Sequence, residues 1–482
     1  MHSIKKLALL FIALLWSSEA SPAQEPVRYL AFQIFTGGFD SSAMRQAFPP
    51  PPDDLLRTVT DLRDRIGAQG NSNRRLGFIL GPLAFDNSDE DVRKLIASGF
   101  DIALDTGVAV GFHIDDSMFW GRLTSLNAPE NIEWLDWQGT PDTGRRLDWS
   151  SKPIKIMPQL CINSKAVKDA VSQRAALMGR EIARGIQKLR AAGRDDLFLG
   201  VIAGWETQIG QDFDTGKYPG YCALTNAGYS ANHPPADPDV ARSRIIAEFA
   251  GFWARSLIAA GVPEGKVYSH IAYQSSAMYG IARRVHPAEV SAPYLQTIHF
   301  TPPAAAFCDG CLPGISTYPQ PGHLEQWQEE LAKHGNPPWA SSEGTAIDPG
   351  EAERRGAGMD MEGYLGNLFN HGAVLVNVFG WGVGEVNNPF RTIAENATAL
   401  AAYRKFLSGG TLSETPISVP SLPPEGLSDK IHRIQAELPG WIQKNGPAEV
   451  RGPMKQLDEA IKEKRFDAAA ALADAILGTI EK

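Results

Sequence analysis

Glu206 and Glu343 have the settings that most invite chemistry in this 482-residue chain. Glu206 ends the run Ala203-Gly204-Trp205-Glu206, and Glu343 ends Trp339-Ala340-Ser341-Ser342-Glu343 before Gly344. Each stands just past residues that read as a strand, where a strand end opens onto a loop. Two carboxyls held over one surface can act on a glycosidic bond. One keeps its proton to give to the leaving oxygen, and the other is ionised to attack the sugar carbon. Different surroundings set those two states. A single Glu at such a place is more commonly an exposed loop residue; the pairing is what points to chemistry.

Three further groups could serve such a pair. His113, Asp115 and Asp116 form the densest polar cluster. They could bond sugar hydroxyls, or ligate a metal with His270 or His299 completing the site. In the third reading an Asp caps the next segment and His113 is a satisfied core residue. Trp120, Trp134, Trp137 and Trp149 share one long loop, with Glu133 and Asp136 between them. Their rings could stack on pyranose faces above a polar rim, or build a small core for the loop itself. His270, Tyr273, Gln274 and His299 fall at or near two later strand ends and are expected as subsite residues, whereas Asn377 lies inside a strand. The chain has no G-x-G-x-x-G, P-loop, G-x-S-x-G or H-E-x-x-H pattern, so the sequence supports no nucleotide cofactor, no serine-hydrolase route and no common metallohydrolase signature. The expectation is no cofactor and no metal.

The elements that must position these residues alternate. Strands are expected at Val27 to Thr36, Leu76 to Leu80, Val108 to Ile114, Leu197 to Ala203, Val267 to Tyr273, near Leu295 to Phe300, in a short run ending at Glu343, and at Ala373 to Phe379. Helices are expected between most of them. Leu55, Leu56, Val59, Leu62 and Ile66 recur at helical spacing, Ser88 is placed to cap a second helix, and Val167 to Leu189 make a stripe on a long third one. Nearly continuous apolar strands alternating with amphipathic helices signal a parallel sheet. Eight such units suit a closed (β/α)8 barrel, a TIM barrel, with an open doubly wound sheet as the alternative. The long loops follow strands 3, 4 and 6, on the side where barrels build their sites.

With the two glutamates after strands 4 and 7, the chain resembles the clan of (β/α)8 retaining glycoside hydrolases. The resemblance spans roughly residues 27–406. It implies Glu206 as acid/base and Glu343 as nucleophile, with Trp381 of Phe379-Gly380-Trp381-Gly382 as the aromatic beneath the substrate sugar. The clan usually carries Asn before its acid/base Glu; here that residue is Trp205. The expected protein is an exported glycoside hydrolase acting on an oligo- or polysaccharide, with His113, Asp115, Asp116, Trp120, Trp137, Trp205, His270, Tyr273, His299 and Trp381 around the substrate. A non-catalytic carbohydrate-binding barrel, and a metal-dependent hydrolase or deacetylase centred on His113 and Asp115, are the alternatives.

Composition agrees with a folded, exported chain. Hydrophobic residues are 43% and charged residues 21%, enough for a sizeable core. The net charge of −9 comes without any basic block, which argues against a nucleic-acid partner. Lys5 and Lys6, the apolar run Leu7 to Trp16, and a small-residue site at Ser18-Glu19-Ala20 or Ser21-Pro22-Ala23 read as an export signal over residues 1–23, with a periplasmic or extracellular destination. That run is too short to span a bilayer, so no stable membrane insertion is expected. Four cysteines fit an oxidising compartment, and the pairs expected are Cys161–Cys222 and, as a loop staple in C-x-x-C, Cys308–Cys311. A redox site or a four-Cys zinc site is the weaker reading of them. Residues 24–410 are expected as the barrel, 411–424 as a Pro-rich linker and 425–482 as a helical appendage.

Overall fold

The computed structural model describes residues 26–36, 48–71, 73–147, 154–209, 219–273, 275, 301–348, 359–381, 389–417, 426–463 and 465–481. The expected signal segment, Trp149, Gln274 and His299 lie outside them, as does the strand expected near Leu295 to Phe300.

Eight strands make one parallel sheet: β1 (Arg28–Phe35), β2 (Arg74–Leu83), β3 (Ala109–Ile114), β4 (Phe198–Ala203), β5 (Val267–Ser269), β6 (Gly314–Ser316), β7 (Trp339–Thr345) and β8 (Ala373–Phe379). Their spatial order is β5-β4-β3-β2-β1-β8-β7-β6. The two ends meet: Tyr268 bridges Leu312 and Ile271 bridges Ile315, both in parallel sense. The bonds that close the seam include Leu312 N–H to the Val267 carbonyl at 2.8 Å and Ser316 N–H to the Ile271 carbonyl at 2.9 Å. The fold is therefore a (β/α)8 barrel, on its own strand pairing.

One element sits elsewhere than expected. The sixth strand is Gly314–Ser316, a three-residue piece beyond the Cys308–Cys311 loop. It is too short to show a pattern of its own, and it moves the start of the mouth on that side to Thr317 and Tyr318.

The helices form for ordinary reasons. The helix α1 (Pro52–Ile66) buries Leu55, Val59, Leu62 and Ile66 on one stripe and ends at Gly67, whose φ of 75° needs a residue without a Cβ. In α2 (Asp89–Thr106) the Ser88 hydroxyl accepts the Asp91 N–H, and three acidic residues occupy the first turn, where the helix dipole favours them. The long α3 (Lys165–Ala191) starts at a Ser164 cap. Outer-layer helices α4 (Pro238–Ala259), α5 (His323–Lys333), α6 (Met361–Phe369) and α7 (Ala397–Leu407) complete the ring. One apolar core runs through strands and helices. Cys161 is paired with Cys222 and Cys308 with Cys311.

The chain beyond α7 divides differently from expectation. Residues 411–417 lie along the barrel rather than acting as a linker: Leu412 and Ile417 belong to the barrel core, and the Ser413 N–H and hydroxyl both donate to Glu362. The helices α8 (Leu427–Asn445), α9 (Ala448–Lys462) and α10 (Phe466–Ile480) have their own small core of Leu427, Ile434, Val450, Leu457, Ala473 and Ile476. Among the described residues, no helix is long and apolar enough to cross a membrane.

Candidate active site

The turn that carries Glu206 is tightly tied. Ile114, the last residue of β3, accepts the Gly204 N–H at 3.3 Å, and Asp116 accepts the Thr207 hydroxyl at 2.6 Å and the Trp205 N–H at 3.4 Å. Glu206 itself has φ 54°, in the left-handed region that a side chain rarely adopts. Such a backbone is kept only where surrounding bonds over-determine it, and such residues gather at working sites. Glu343 is aimed by a different device. Along β7 the register slips by one residue between Val376–Ser341 and Val378–Gly344, and again between Ile315–Ser341 and Ser316–Glu343. The extra residue is a β-bulge, which re-aims the side chains beside it.

The two carboxyls meet at the barrel mouth. A carboxylate oxygen of Glu206, one of Glu343 and a ring nitrogen of His270 lie within 4.8 Å of one another. Glu206 is only 8% exposed and Glu343 5%, so water does little to separate their charges. Ser316 Oγ is 3.0 Å from Glu206 Oε1 and 2.9 Å from His270 Nε2. Tyr318 donates its hydroxyl to Glu343 Oε1 at 2.6 Å, and His270 Nε2 is 4.0 Å from Glu343 Oε2. With these atoms already engaged, the group reads as a carboxylate pair seated on a histidine.

Burial, and then the Glu206 carboxylate beside it, push the Glu343 carboxyl well above the usual range, while the Tyr318 hydrogen bond works the other way. Two close buried carboxyls cannot readily both ionise, so the pair gives up its two protons in separate steps. Tyr318 is held far above its ordinary value by burial and the Glu343 charge, and so remains a donor. Burial lowers His270 to about 4 and His113 well below its ordinary value.

Other predicted residues fall into three groups. His113, His270, Asp116 and Trp205 do gather beneath the pair. His113 Nδ1 is 3.0 Å from Gln33 Oε1, its Nε2 is 3.0 Å from His270 Nδ1, and the Trp205 ring lies over it with centroids 4.2 Å apart. These residues are buried, so they support the carboxyls rather than line the open mouth. Asp115 turns out to be a cap: its two oxygens accept the N–H groups of Ser117, Met118 and Phe119 at 3.1, 2.7 and 3.0 Å. Burial and the neighbouring Asp116 raise it to about 7 despite those bonds. His113 turns instead to Gln33 and His270, so no metal centre is built on His113 and Asp115.

The third group is engaged elsewhere in the fold. Trp120 is fully buried, its Nε1–H donating to the Pro158 carbonyl, and so forms loop core rather than a sugar platform. Tyr273 stacks on His323 and donates to its carbonyl at 2.7 Å. Trp381 is also fully buried, edge-on to Phe32, with the Arg391 guanidinium 5.2 Å from its ring centre. The aromatic that the end of β8 brings to the site is Phe379, half-buried and packed against Phe35, with Trp205 beyond at 6.4 Å. Trp137 stays partly exposed, edge-on to Tyr221. Asp136 is spent on its own turn through Gln138 and Thr140, and Glu133 is buried rather than part of a rim.

Gln33, Ser316, Tyr318 and Phe379 are site residues that the sequence reading did not single out. The Ser-Thr-Tyr run after Ile315 is a usable signal only once the short sixth strand is recognised.

No family model matches this chain, and no curated protein matches it. Solved structures with some likeness include a Bacteroides ovatus GH5 xyloglucanase bound to a heptasaccharide: 15% identity, 78% of this chain, 74% of that chain, TM-score 0.34. An exo-beta-1,4-mannosidase from an Opitutaceae bacterium gives 10% identity, 79% of this chain, 59% of that chain and a TM-score of 0.37. A beta-mannanase from Thermomonospora fusca gives 12%, 76%, 82% and 0.31 respectively. Likeness at that level leaves the barrel assignment to the strand order and the closing bridges.

Proposed function

We propose that the protein hydrolyses glycosidic bonds of an oligo- or polysaccharide with retention, Glu206 as acid/base and Glu343 as nucleophile. The observation that carries this is the bound of 4.8 Å between their nearest oxygens. That bound on the oxygens is met by the carboxyl separation of retaining enzymes, about 5–5.5 Å, and excludes all but the short end of the about 6.5–9.5 Å that inverting ones leave for a water. The surroundings fit the division of labour. Tyr318 gives a hydrogen bond to Glu343, which favours its ionised form against the burial that raises it.

In the first step Glu343 attacks the anomeric carbon as Glu206 protonates the departing oxygen. In the second, Glu206 takes a proton from water, which displaces Glu343 from the sugar. The export signal reads as delivery to a periplasmic or extracellular glycan, and the disulfides suit that destination.

The test is a screen of chromogenic glycosides and polysaccharides, each run beside Glu343→Gln. Turnover that disappears in the variant supports the reading. Sugar binding without turnover in the wild type would favour a carbohydrate-binding barrel, and turnover that survives in Glu343→Gln would displace Glu343 from its role.

A further inference from the structure

The bonds beneath the carboxylate pair form an unbroken line. It runs from Gln33 on β1 to His113 on β3, to His270 past β5, to Ser316 on β6, and ends on Glu206, with successive contacts of 3.0, 3.0, 2.9 and 3.0 Å. All four supporting side chains are buried. Its far end has a fixed direction. Asn377 Nδ2 donates to both the Ser342 carbonyl at 2.8 Å and Gln33 Oε1 at 3.0 Å. Gln33 therefore presents an oxygen to His113, and His113 Nδ1 must carry a hydrogen.

One hydrogen then remains to be placed between His113 Nε2 and His270 Nδ1. Its position decides every bond up to Glu206. With the hydrogen on His270, the His270 Nε2 is a lone pair that accepts the Ser316 hydroxyl, and Ser316 Oγ accepts from Glu206, which is a carboxylic acid. With it on His113, His270 Nδ1 accepts, and the Nε2–H of His270 donates to Ser316. The Ser316 hydroxyl then donates to Glu206, which is a carboxylate. The two arrangements hold the same number of protons. Three hops connect them: Glu206 to Ser316 Oγ, Ser316 Oγ to His270 Nε2, and His270 Nδ1 to His113 Nε2. Each group along the way gains one hydrogen and gives one up.

We propose that His113, His270 and Ser316 are positioning residues that share one proton with Glu206 along this line, so that the tautomer of His270 records the charge on Glu206. The use of such a line rests on the function proposed above: a group that must be an acid in one step and a base in the next is served by an internal partner that takes up its proton. The geometry explains why neither arrangement is locked. The first leaves two contacts unsatisfied: the Gly204 carbonyl 2.9 Å from His113 Nε2 meets a lone pair, and the Glu206 N–H 3.3 Å from His270 Nδ1 meets another N–H. The second satisfies both but places an imidazolium where burial disfavours charge, offset by the Trp205 ring over His113. The titratable groups packed about the line are Glu206, Glu343 with Tyr318, and Asp116, which ties down the Trp205–Thr207 turn.

Because the two arrangements hold the same number of protons, the test is ring ¹⁵N spectroscopy of the full chain labelled at histidine at a single pH of about 6, compared between the wild type and its variants, since the ring nitrogens report which of them holds the proton. In the wild type, His270 should switch its hydrogen between Nδ1 and Nε2, so that both tautomers are populated. Glu206→Gln should abolish that switch, and Ser316→Ala should abolish it while leaving both carboxyls in place. A single His270 tautomer in the wild type, or a switch that persists in Glu206→Gln, overturns the proposal. If Ser316→Ala does not fold, Glu206→Gln decides alone. Because the resting protein is read, the result does not depend on any glycoside being turned over.

Discussion

The ends of β4 and β7 carry the same residue type and hold it in opposite ways. Glu206 stands on a turn with a left-handed backbone, fastened from outside by Asp116 and from below by Ser316 and His270. Glu343 stands within a bulged strand, and among the described residues the side chain that donates to its carboxyl is the Tyr318 phenol. The first setting can both give and accept hydrogen bonds, because Ser316 Oγ can do either. The second offers a donor only. A carboxyl that must change protonation during a reaction needs the first kind of support, and one that must stay an anion until it attacks needs the second.

The largest effect expected from breaking this contrast is at β7. Glu343→Gln should lower turnover of every substrate by about 10⁵–10⁶-fold, as removing a nucleophile does elsewhere, measured as kcat against wild type. At β4 the loss should depend on the substrate. Glu206→Gln should cost about 10²–10⁴-fold on sugars with poor leaving groups and little in the first step on activated aryl glycosides, with azide partly restoring turnover. Equal losses across leaving groups would mean that the two strand ends do not differ in role.

The pH profile sharpens the same contrast. Burial and the neighbouring Glu206 raise Glu343 above the usual carboxyl range, so wild-type kcat/KM should rise with pH through a limb that lies above that range, as Glu343 ionises to the nucleophile. Glu206→Gln removes one of the two causes, so on an activated aryl glycoside that limb should move to lower pH. A limb that does not move would place that ionisation on another group.

Smaller effects should follow from the supports. Tyr318→Phe removes a hydrogen bond to a charged group, worth about 1.5–3 kcal/mol, and should slow the first step by roughly tenfold to a hundredfold while leaving azide rescue of Glu206→Gln intact. Asp116→Asn keeps the shape but cannot accept from Thr207 and Trp205 as an anion does. It should cost about 1 kcal/mol of stability in thermal unfolding and lower turnover several-fold through a looser Glu206 turn. If Tyr318→Phe is silent while Asp116→Asn is not, the strand end at β7 is rigid enough without its phenol.

Much of this was legible in the chain because the strongest signals are long. β1, β4 and β8 are apolar runs of 8, 6 and 7 residues, and the residues just past or within their ends can be placed from the sequence alone. That is how Glu206 could be read as a mouth residue. β6 shows the limit: three residues after Pro313 carry no periodicity, so the strand was expected some 15–20 residues early, and Ser316 and Tyr318 went unseen with it. The tryptophans show another. Residue type gives a ring that can stack on sugar or on protein equally well, and only the packing reveals that Trp120 and Trp381 are covered while Trp137 stays partly open. Asp115 and Asp116 are adjacent and identical in type, yet one caps its own loop and the other binds the Glu206 turn, a division that depends on where Thr207 lies in space.

The central claim is that Glu343 attacks the sugar. It is tested most directly by trapping the enzyme with a panel of activated 2-deoxy-2-fluoro glycosides of glucose, mannose, galactose and xylose, and mapping the adduct by peptide mass spectrometry. One covalent glycosyl group is expected, on the peptide that contains Glu343 and on that side chain, absent from Glu343→Gln. A hydrolase that turns over its glycan yet forms no adduct with the matching fluoro sugar, or forms one on another residue, would contradict it.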